Sequence, residues 1–511
     1  MFFIRFMPFM LCFLLSSLAL AWVLVVISPQ IYRPLMLLIG VWATIGLKKT
    51  PGRYGRAVDA LWFVAALAGL GWPLANGDPF LYRAANPTSG DILCGVLAIA
   101  VVLEAARRTT GWILPISAVA FLAYAFAGPT LASIGLGGIA HRGYDLPRLI
   151  GNLYMTLEGM FGLPLDVAVT YIVLFTVYGA VLEYSGAGRF FLDFSLAIAS
   201  SRGANPAAAA GRSVTLAGFL LGTVSGSGVA TTVTLGSVAW PILKRVGFAA
   251  DTAGAMLAAS GIGALLSPPT LGAAAFLIAE YLQISYLQVL IMATIPTLLY
   301  YLSILLMIQG EGTVAGKPGS VEAREPGTLE VGKPVSRRAG ALGYLHFSSL
   351  VIVAVLMALG LTPFRAVFWA TVAAVAISFL ANLGAQPQLP PPRATGVAAT
   401  LPPTADDTGA LTPRRLTRAL VAGGEDVLPV LATTAVAGII VGVVTLTGVG
   451  FKISFIVTST AASLATNAAA IVPAFLMDMK ALTLMFTLIM TGVVCILMGC
   501  GIPTTANYII M

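Results

Sequence analysis

Charge is scarce in this 511-residue sequence. Asp, Glu, Lys and Arg together make up 9% of the residues, whereas 58% are hydrophobic. A soluble domain carries about 25% charged residues, so this composition excludes a soluble globular fold. Apolar stretches of about 17 to 25 residues, long enough to cross a bilayer as helices, recur along the whole chain. The sequence therefore predicts an all-α, multi-pass membrane protein.

Histidine and cysteine are also rare, with two and four residues respectively. Two histidines, His141 and His346, leave little material for histidine-based catalysis or metal binding. The cysteines lie in apolar segments without metal-ligand spacing, so we interpret them as small core residues rather than as disulfides or a zinc site. No nucleophile and base are paired in the sequence as an intramembrane enzyme would require. We therefore expect that the protein is not an enzyme and that it needs no cofactor.

The net charge of +8 comes from Lys and Arg residues in short loops between apolar runs. Such loops orient a membrane protein, and they make a nucleic-acid partner an unnecessary explanation. The basic loops 48–56 and 107–108 are predicted to be cytoplasmic, which places the N-terminus inside as well. The first run, Phe9 to Ile27, has the length of a signal peptide, but no A-x-A-like site follows it. We interpret it as a first membrane helix.

The order of apolar and polar stretches divides the chain into six segments. They are an N-terminal helical bundle (1–135), the first half of a larger membrane domain, with a hairpin and a Pro-Pro break (136–308), a polar loop (309–340), a helix pair (341–383), a Pro-rich loop (384–418) and the helices of the second half of that domain (419–511).

Small and hydroxylated residues interrupt the apolar pattern at one place in the first half. The interruption consists of Ser225, Gly226, Ser227 and Gly228. The flanking limbs, 214–224 and 229–235, are each too short to cross a hydrocarbon core of about 30 Å, which predicts a re-entrant hairpin with its tip inside the membrane. The alternative is a seam of small residues for helix packing. This segment alone leaves both interpretations open.

Two further breaks favour the hairpin interpretation. Pro268 and Pro269 lack N–H groups, so carbonyls one turn earlier are expected to lose their partners, and Thr270 follows them. A third break combines glycine, proline and hydroxyl groups at Gly501, Pro503, Thr504 and Thr505. Interrupted helices in corresponding positions of two halves indicate a transporter site, and we pair Ser225 and Ser227 with Thr504 and Thr505. Carbonyl and hydroxyl oxygens at such breaks can replace the hydration shell of Na⁺, and half-helix N-termini attract carboxylates.

Several stretches resemble the fused permeases of tripartite ATP-independent periplasmic (TRAP) transporters, in which small and large membrane subunits form one chain. The matching stretches are LEAARRTTGW (103–112), FAGPTLASIG (126–135), GTVSGSGVATTVTLGSVAWPILKRVGF (222–248), SPPTLGAAAFLIAE (267–280), AGIIVGVVTLTGVGFK (437–452) and MGCGIPTTANYI (498–509). The resemblance implies an elevator-type secondary transporter of the bacterial inner membrane. It also implies import of an organic acid that a periplasmic substrate-binding protein delivers, with Na⁺ symport and no ATPase subunit. The absence of a GxxxxGK[ST] motif from the sequence agrees with this.

The resemblance further implies the site residues. The site residues at the first hairpin tip would be Ser225, Gly226, Ser227 and Gly228. The facing unwound helix would contribute Gly261, Pro268, Pro269 and Thr270. The second tip would contribute Gly501, Pro503, Thr504 and Thr505. Relatives continue beyond the second tip, whereas this sequence ends at Met511. We therefore expect a truncated chain that inserts into the membrane but is impaired in transport. A channel-like pore, with the Ser/Gly/Thr breaks as its filter, is the alternative function.

Overall fold

The computed structural model describes residues 2–25, 27–135, 138–200, 206–315, 344–381, 410–469, 478–499 and 504–510. Every regular element in these ranges is a helix. Eleven helical stretches among them are long and apolar enough to cross a membrane. The prediction of an all-α, multi-pass membrane protein is confirmed.

Eight helices precede residue 156, and four of them are long enough to span. Their bounds are α1 Phe2–Leu24, α2 Pro29–Leu47, α3 Gly55–Asn76, α4 Asp78–Tyr82, α5 Ser89–Thr110, α6 Ile113–Phe126, α7 Gly128–Ser133 and α8 Leu146–Met155. The spanning helices are α1, α2, α3 and α5. Helix α5 begins with a capping box, in which Thr88 accepts from the Asp91 backbone N–H and the Asp91 carboxylate accepts from the Thr88 N–H.

The middle of the chain contains the predicted breaks. Its helices are α9 Leu163–Val167, α10 Val173–Tyr184, α11 Ala187–Ser200, α12 Pro206–Ser225, α13 Gly228–Arg245, α14 Ala250–Ile262, α15 Ala274–Tyr281 and α16 Tyr286–Ala315. A π-helical turn, Ala168–Ile172, joins α9 to α10. The remaining helices are α17 Leu345–Ala358, α18 Pro363–Ala381, α19 Pro413–Thr447, α20 Val449–Ala469, α21 Met479–Gly499 and α22 Thr504–Ile510.

The chain divides into two compact units. Unit 1 contains Met1–Leu15, Val26–Val169 and Val427–Met511, and unit 2 contains Ser16–Val25 and Thr170–Asp426. In unit 1, α3 and α5 pack closely, since a Cβ on Gly69 would lie 2.7 Å from the Ala98 nitrogen. In unit 2, buried side chains of α12, α13, α14 and α16 form one apolar cluster that includes Val214, Leu235 and Leu257.

The predicted limb lengths of the first hairpin are wrong. Helix α12 has 20 residues and α13 has 18, so each is about 27 to 30 Å long at 1.5 Å per residue. The hydroxylated residues stay helical because their side chains donate to carbonyls within the same helix. Thr215 donates to the Gly211 carbonyl at 3.1 Å, and Thr232 donates to the Gly228 carbonyl at 2.7 Å.

Two predicted loops are shorter than expected at the ends that the structure describes. Helix α16 continues to Ala315, beyond the predicted start of the polar loop at residue 309. Helix α19 begins at Pro413, within the predicted Pro-rich loop 384–418. Proline is favourable at the first helical position, where its missing N–H costs nothing. Most of both predicted loops, 316–343 and 382–409, lies outside the described residues.

Candidate functional site

Two non-helical residues separate the two helices of the first hairpin. Helix α12 ends at Ser225, and α13 begins at Gly228. Gly226 has a φ of +58°, and a Cβ there would lie 2.7 Å from the Leu271 carbonyl oxygen. Glycine is therefore required at this position by both conformation and space. Ser227 is the N-cap of α13, where its hydroxyl accepts from the Ala230 N–H at 3.4 Å.

The second break is an unwound segment between α14 and α15. After Ile262 the chain makes one 3₁₀ turn, Gly263–Leu265, and regular helix resumes only at Ala274. Pro268 and Pro269 cannot donate backbone hydrogen bonds, which explains why the α-helix does not continue through them.

The carbonyls that these prolines leave without a helical donor are nevertheless paired, contrary to expectation. The Ala264 carbonyl accepts from the Ser267 N–H at 3.3 Å, and the Leu265 carbonyl accepts from the Gly272 N–H at 2.8 Å. The first donor, Ser267, lies directly before the prolines, and the turn that follows them brings the Gly272 N–H back to supply the second. The oxygens available to a cation must therefore come from elsewhere in the segment.

The two breaks lie against each other within unit 2. The hydroxyl of Thr270 donates to the carbonyl oxygens of Thr223, at 2.9 Å, and Gly222, at 3.3 Å, in the last turn of α12. A Cβ on Gly222 would lie 2.6 Å from Ala264 Cα, so no side chain fits between the hairpin and the unwound segment. Glycines thus allow the backbones at the two breaks to approach closely.

The hairpin also contacts the regular helix before the unwound segment. A Cβ on Gly261 would lie 1.9 Å from the Thr232 hydroxyl oxygen, and a Cβ on Gly228 would lie 3.2 Å from Ile262 Cα. The predicted residues Gly226, Gly228, Gly261 and Thr270 therefore belong to one assembly. The structure brings Pro268 and Pro269 to it as part of the same segment.

Three side chains from α16 support the unwound segment. Thr297 donates to the Leu266 carbonyl at 2.6 Å, and the Tyr286 hydroxyl donates to the Pro269 carbonyl at 3.0 Å. The hydroxyls of Tyr301 and Ser267 are 3.1 Å apart, within hydrogen-bond distance. These bonds hold an irregular backbone in one conformation within the apolar part of the protein. Sequence reasoning missed all three α16 residues, because nothing local marks a helix that pairs with a break 17 to 34 positions away.

One hydroxyl in this assembly has no partner. The Ser260 side chain is 0% exposed, and its oxygen forms no hydrogen bond to any described residue. It lies against the hairpin, since a Cβ on Gly218 would be 2.7 Å from the Ser260 Cβ. A buried polar atom without a partner costs free energy unless a ligand or water satisfies it. Ser260 is therefore a candidate ligand that the sequence did not single out.

The second predicted tip belongs to unit 1. Gly501 and Pro503 lie outside the described residues, and α22 begins directly after them at Thr504. Thr505 is buried. Asn507 donates to the Cys495 carbonyl of α21 at 3.2 Å, while its own amide oxygen is buried without a partner among the described residues. Asn507 thus resembles Ser260 in offering a buried oxygen without a partner among the described residues.

The donor set fits a monovalent cation better than a divalent one. Among the described residues, no group of three or more His, Cys, Asp or Glu side chains could hold a metal ion. The oxygens at the first break instead come from neutral hydroxyls and carbonyls. Neutral oxygens in an irregular segment are the ligand type that discontinuous transporter helices present to Na⁺.

Eleven candidate spans define a multi-pass membrane protein, and discontinuous helices of the kind seen at the two breaks are typical of transporters. The sequence model of the family described as "Tripartite ATP-independent periplasmic transporter, DctM component" matches residues 97–511. The chain therefore belongs to this family. No curated protein matches the sequence.

Proposed function

We propose that the chain is the permease of a bacterial inner-membrane TRAP transporter, which imports an organic acid together with Na⁺. The proposal rests on one observation, that the break between α12 and α13 packs against the unwound segment between α14 and α15 in unit 2. There, Thr270 joins the second break to the carbonyls of Thr223 and Gly222. Na⁺ would bind among the hydroxyl and carbonyl oxygens of this assembly, with the buried Ser260 hydroxyl as one candidate ligand.

The substrate carboxylate would bind close to the start of α13. The Ser225 to Gly228 break ends at the N-terminus of this 18-residue helix. Unpaired N–H groups and the helix dipole make such a terminus favourable for an anion. Gly501, Pro503, Thr504 and Thr505 are proposed to supply the corresponding groups of the second tip, and Asn507 is added to them. The elevator motion remains a prediction.

The helices before the family match are proposed to act as the small membrane subunit. The match begins at residue 97, within α5, and leaves α1, α2 and α3 before it. Three spanning helices and the first part of a fourth are thus available for that role. A periplasmic substrate-binding protein would be the remaining, soluble component.

Uptake in proteoliposomes that contain the permease expressed from its full open reading frame tests the function. Radiolabelled organic acids would be supplied with the substrate-binding protein, in the presence or absence of an inward Na⁺ gradient. We expect accumulation only when both the gradient and the binding protein are present. Flux that needs neither, and that dissipates any imposed ion gradient, would contradict the carrier and favour a channel-like pore.

A further inference from the structure

A second polar feature lies in unit 1, away from both helix breaks in the sequence. It is a cavity of about 540 Å³ between the segment 85–87 and the loop 142–148. Arg142, Arg148, Asp145, Tyr144 and Asn86 all line it. Neither the family match nor the proposed transport site assigns it a role.

The cavity is on the side of the membrane opposite the basic loops. Arg108, at the end of α5, donates to the Lys48 carbonyl at 3.0 Å and to the Asp59 carboxylate at 2.8 Å, so the two basic loops of the sequence lie together. Basic loops are cytoplasmic by the positive-inside rule. Both α3 and α5 are candidate spans, so the segment 77–88 that connects their other ends is external. The cavity, lined by residues 85–87, opens on that face.

The loop that carries Arg142 is fixed by hydrogen bonds to several helices. Tyr124 donates from its hydroxyl to the Ile139 carbonyl at 2.6 Å, and Tyr144 donates to the Leu446 carbonyl at 2.5 Å. His141 lies between the Tyr124 carbonyl, 2.9 Å from Nε2, and the Gly143 N–H, 3.1 Å from Nδ1. Because a carbonyl can only accept, Nε2 carries the proton and Nδ1 accepts.

The opposite wall is equally well defined. Arg83 forms a salt bridge of 2.7 Å with Asp91, whose side chain is 0% exposed, and also donates to Asn76 at 2.8 Å. On the same segment, the Ala84 carbonyl packs directly against Gly151 of α8. Two fixed walls therefore hold the cavity in one shape.

The charges that line the cavity are not neutralised by partners. Arg142, Arg148 and Asp145 are exposed, and none of them forms a salt bridge to another described residue. The Arg142 guanidinium lies 5.1 Å from the centre of the Tyr144 ring, which supports it from one side. Asp145 occupies the N-cap position of α8 without forming a cap hydrogen bond. Two positive charges and one negative charge leave the cavity net positive.

We propose that this cavity is the docking site for acidic side chains of the soluble periplasmic component. The inference rests on the proposed function for the existence of that partner. The family description specifies a tripartite, periplasmic system, and the cavity presents exposed guanidinium groups on the external face that form no salt bridge to the residues the structure describes. Guanidinium groups bind carboxylates bidentately. Exposed charges of this kind mainly raise the association rate, and salt screens their effect.

The test measures association of the cognate substrate-binding protein with the full permease in lipid nanodiscs. We expect the double variant R142Q/R148Q to associate about tenfold more slowly than the wild type at low salt, with a weaker salt dependence. Asp145→Asn removes the one negative charge and is expected to accelerate association severalfold. An increase of this kind is not produced by damage to the fold, so the two variants together separate charge from structure.

Arg56→Gln is the matched control, because Arg56 is exposed in the cytoplasmic basic loop. Its association rate should equal that of the wild type. Equal rates for the wild type, R142Q/R148Q and Asp145→Asn would overturn the proposal. So would binding of free succinate to the wild type that R142Q/R148Q abolishes while association of the protein partner stays unchanged, since the cavity would then be a small-anion site.

Uptake measured in parallel distinguishes failure of this inference from failure of the function. If uptake proves independent of Na⁺ but partner association still depends on Arg142 and Arg148, the docking site is supported and the proposed coupling of transport to Na⁺ is disproved. If uptake requires Na⁺ and the binding protein while R142Q/R148Q and Asp145→Asn associate like the wild type, the docking site is disproved and the transport function is supported.

Discussion

Gly261 lies directly against Thr232: a Cβ added to the glycine would be 1.9 Å from the threonine hydroxyl oxygen and 2.9 Å from its Cα. At this position α14 contacts the second limb of the hairpin, α13, without room for a side chain. Because one of the contacting atoms is backbone, a rotamer change of Thr232 cannot relieve the clash. The two helices must separate to accept any side chain at position 261.

Gly261→Ala should therefore lower stability by about 1 to 3 kcal/mol through overpacking. The measurement is thermal unfolding of the purified protein in detergent. Gly254→Ala, in the same helix, is the matched control, because nothing lies within 4 Å of a Cβ at that position. Alanine is a better helix former than glycine, so the control should unfold at the same or a higher temperature. Equal destabilisation by both variants would disprove the close contact.

Thr270→Val should separate the two breaks without changing the side-chain volume much. The variant loses the hydrogen bonds to the Thr223 and Gly222 carbonyls, and we expect a cost of about 1 to 3 kcal/mol in unfolding free energy. Thr270→Ser keeps the donor and should retain most of the stability. If valine and serine at this position have the same unfolding temperature, the hydroxyl does not join the breaks as described.

Tyr286→Phe should loosen the unwound segment but leave the fold intact. The ring of Tyr286 stacks on Phe276 with centroids 4.4 Å apart, and phenylalanine preserves this contact. The variant removes only the donor to the Pro269 carbonyl. We expect a loss of about 1 to 3 kcal/mol in unfolding free energy, as for Thr270→Val, and weaker stabilisation when NaCl replaces choline chloride, because the proposed Na⁺ ligands become less ordered.

Tyr300→Phe provides the comparison for that variant. Its hydroxyl donates to the Ala259 carbonyl at 2.8 Å, but that carbonyl also accepts from the Gly263 N–H. Its removal should leave the effect of Na⁺ unchanged. A loss of the Na⁺ effect in Tyr300→Phe but not in Tyr286→Phe would contradict the proposed support of the unwound segment.

Ser260→Ala should have opposite effects on stability and on Na⁺ binding. Because the hydroxyl has no partner among the described residues, its removal should leave unfolding in choline chloride unchanged or slightly improved. As a candidate Na⁺ ligand, it should also contribute to the affinity, so the Na⁺ concentration for half-maximal stabilisation should rise severalfold in the variant. An unchanged Na⁺ dependence would remove Ser260 from the proposed ligands.

The breaks themselves were predictable from the residue types in the sequence, before any resemblance to a family, because glycine and proline act locally. The positive φ of Gly226 and the missing N–H groups of Pro268 and Pro269 interrupt helices whatever surrounds them. The limb lengths were not predictable from apolar content, since hydroxyl groups can form hydrogen bonds within their own helix. The Thr223 hydroxyl, for example, donates to the Leu220 carbonyl at 2.6 Å. Polar residues therefore do not mark where α12 ends.

The tertiary partners of the site leave no local signal. Thr297 and Tyr301 lie in the middle of the apolar helix α16, and only the fold brings them to Leu266 and Ser267. The re-pairing of the Leu265 carbonyl with the Gly272 N–H likewise depends on a turn that the sequence does not specify. Glycine and proline thus located the breaks, while the contacts that order them required the structure.

Equilibrium binding of ²²Na⁺ to the purified permease examines the proposed cation site itself, because it needs neither the substrate nor the partner protein. We expect saturable binding to the wild type and to Gly254→Ala, and strongly weakened binding to Thr270→Val. Binding to Thr270→Val that equals the wild type, or no saturable binding to any of the three, would contradict a Na⁺ site at the joined breaks of unit 2.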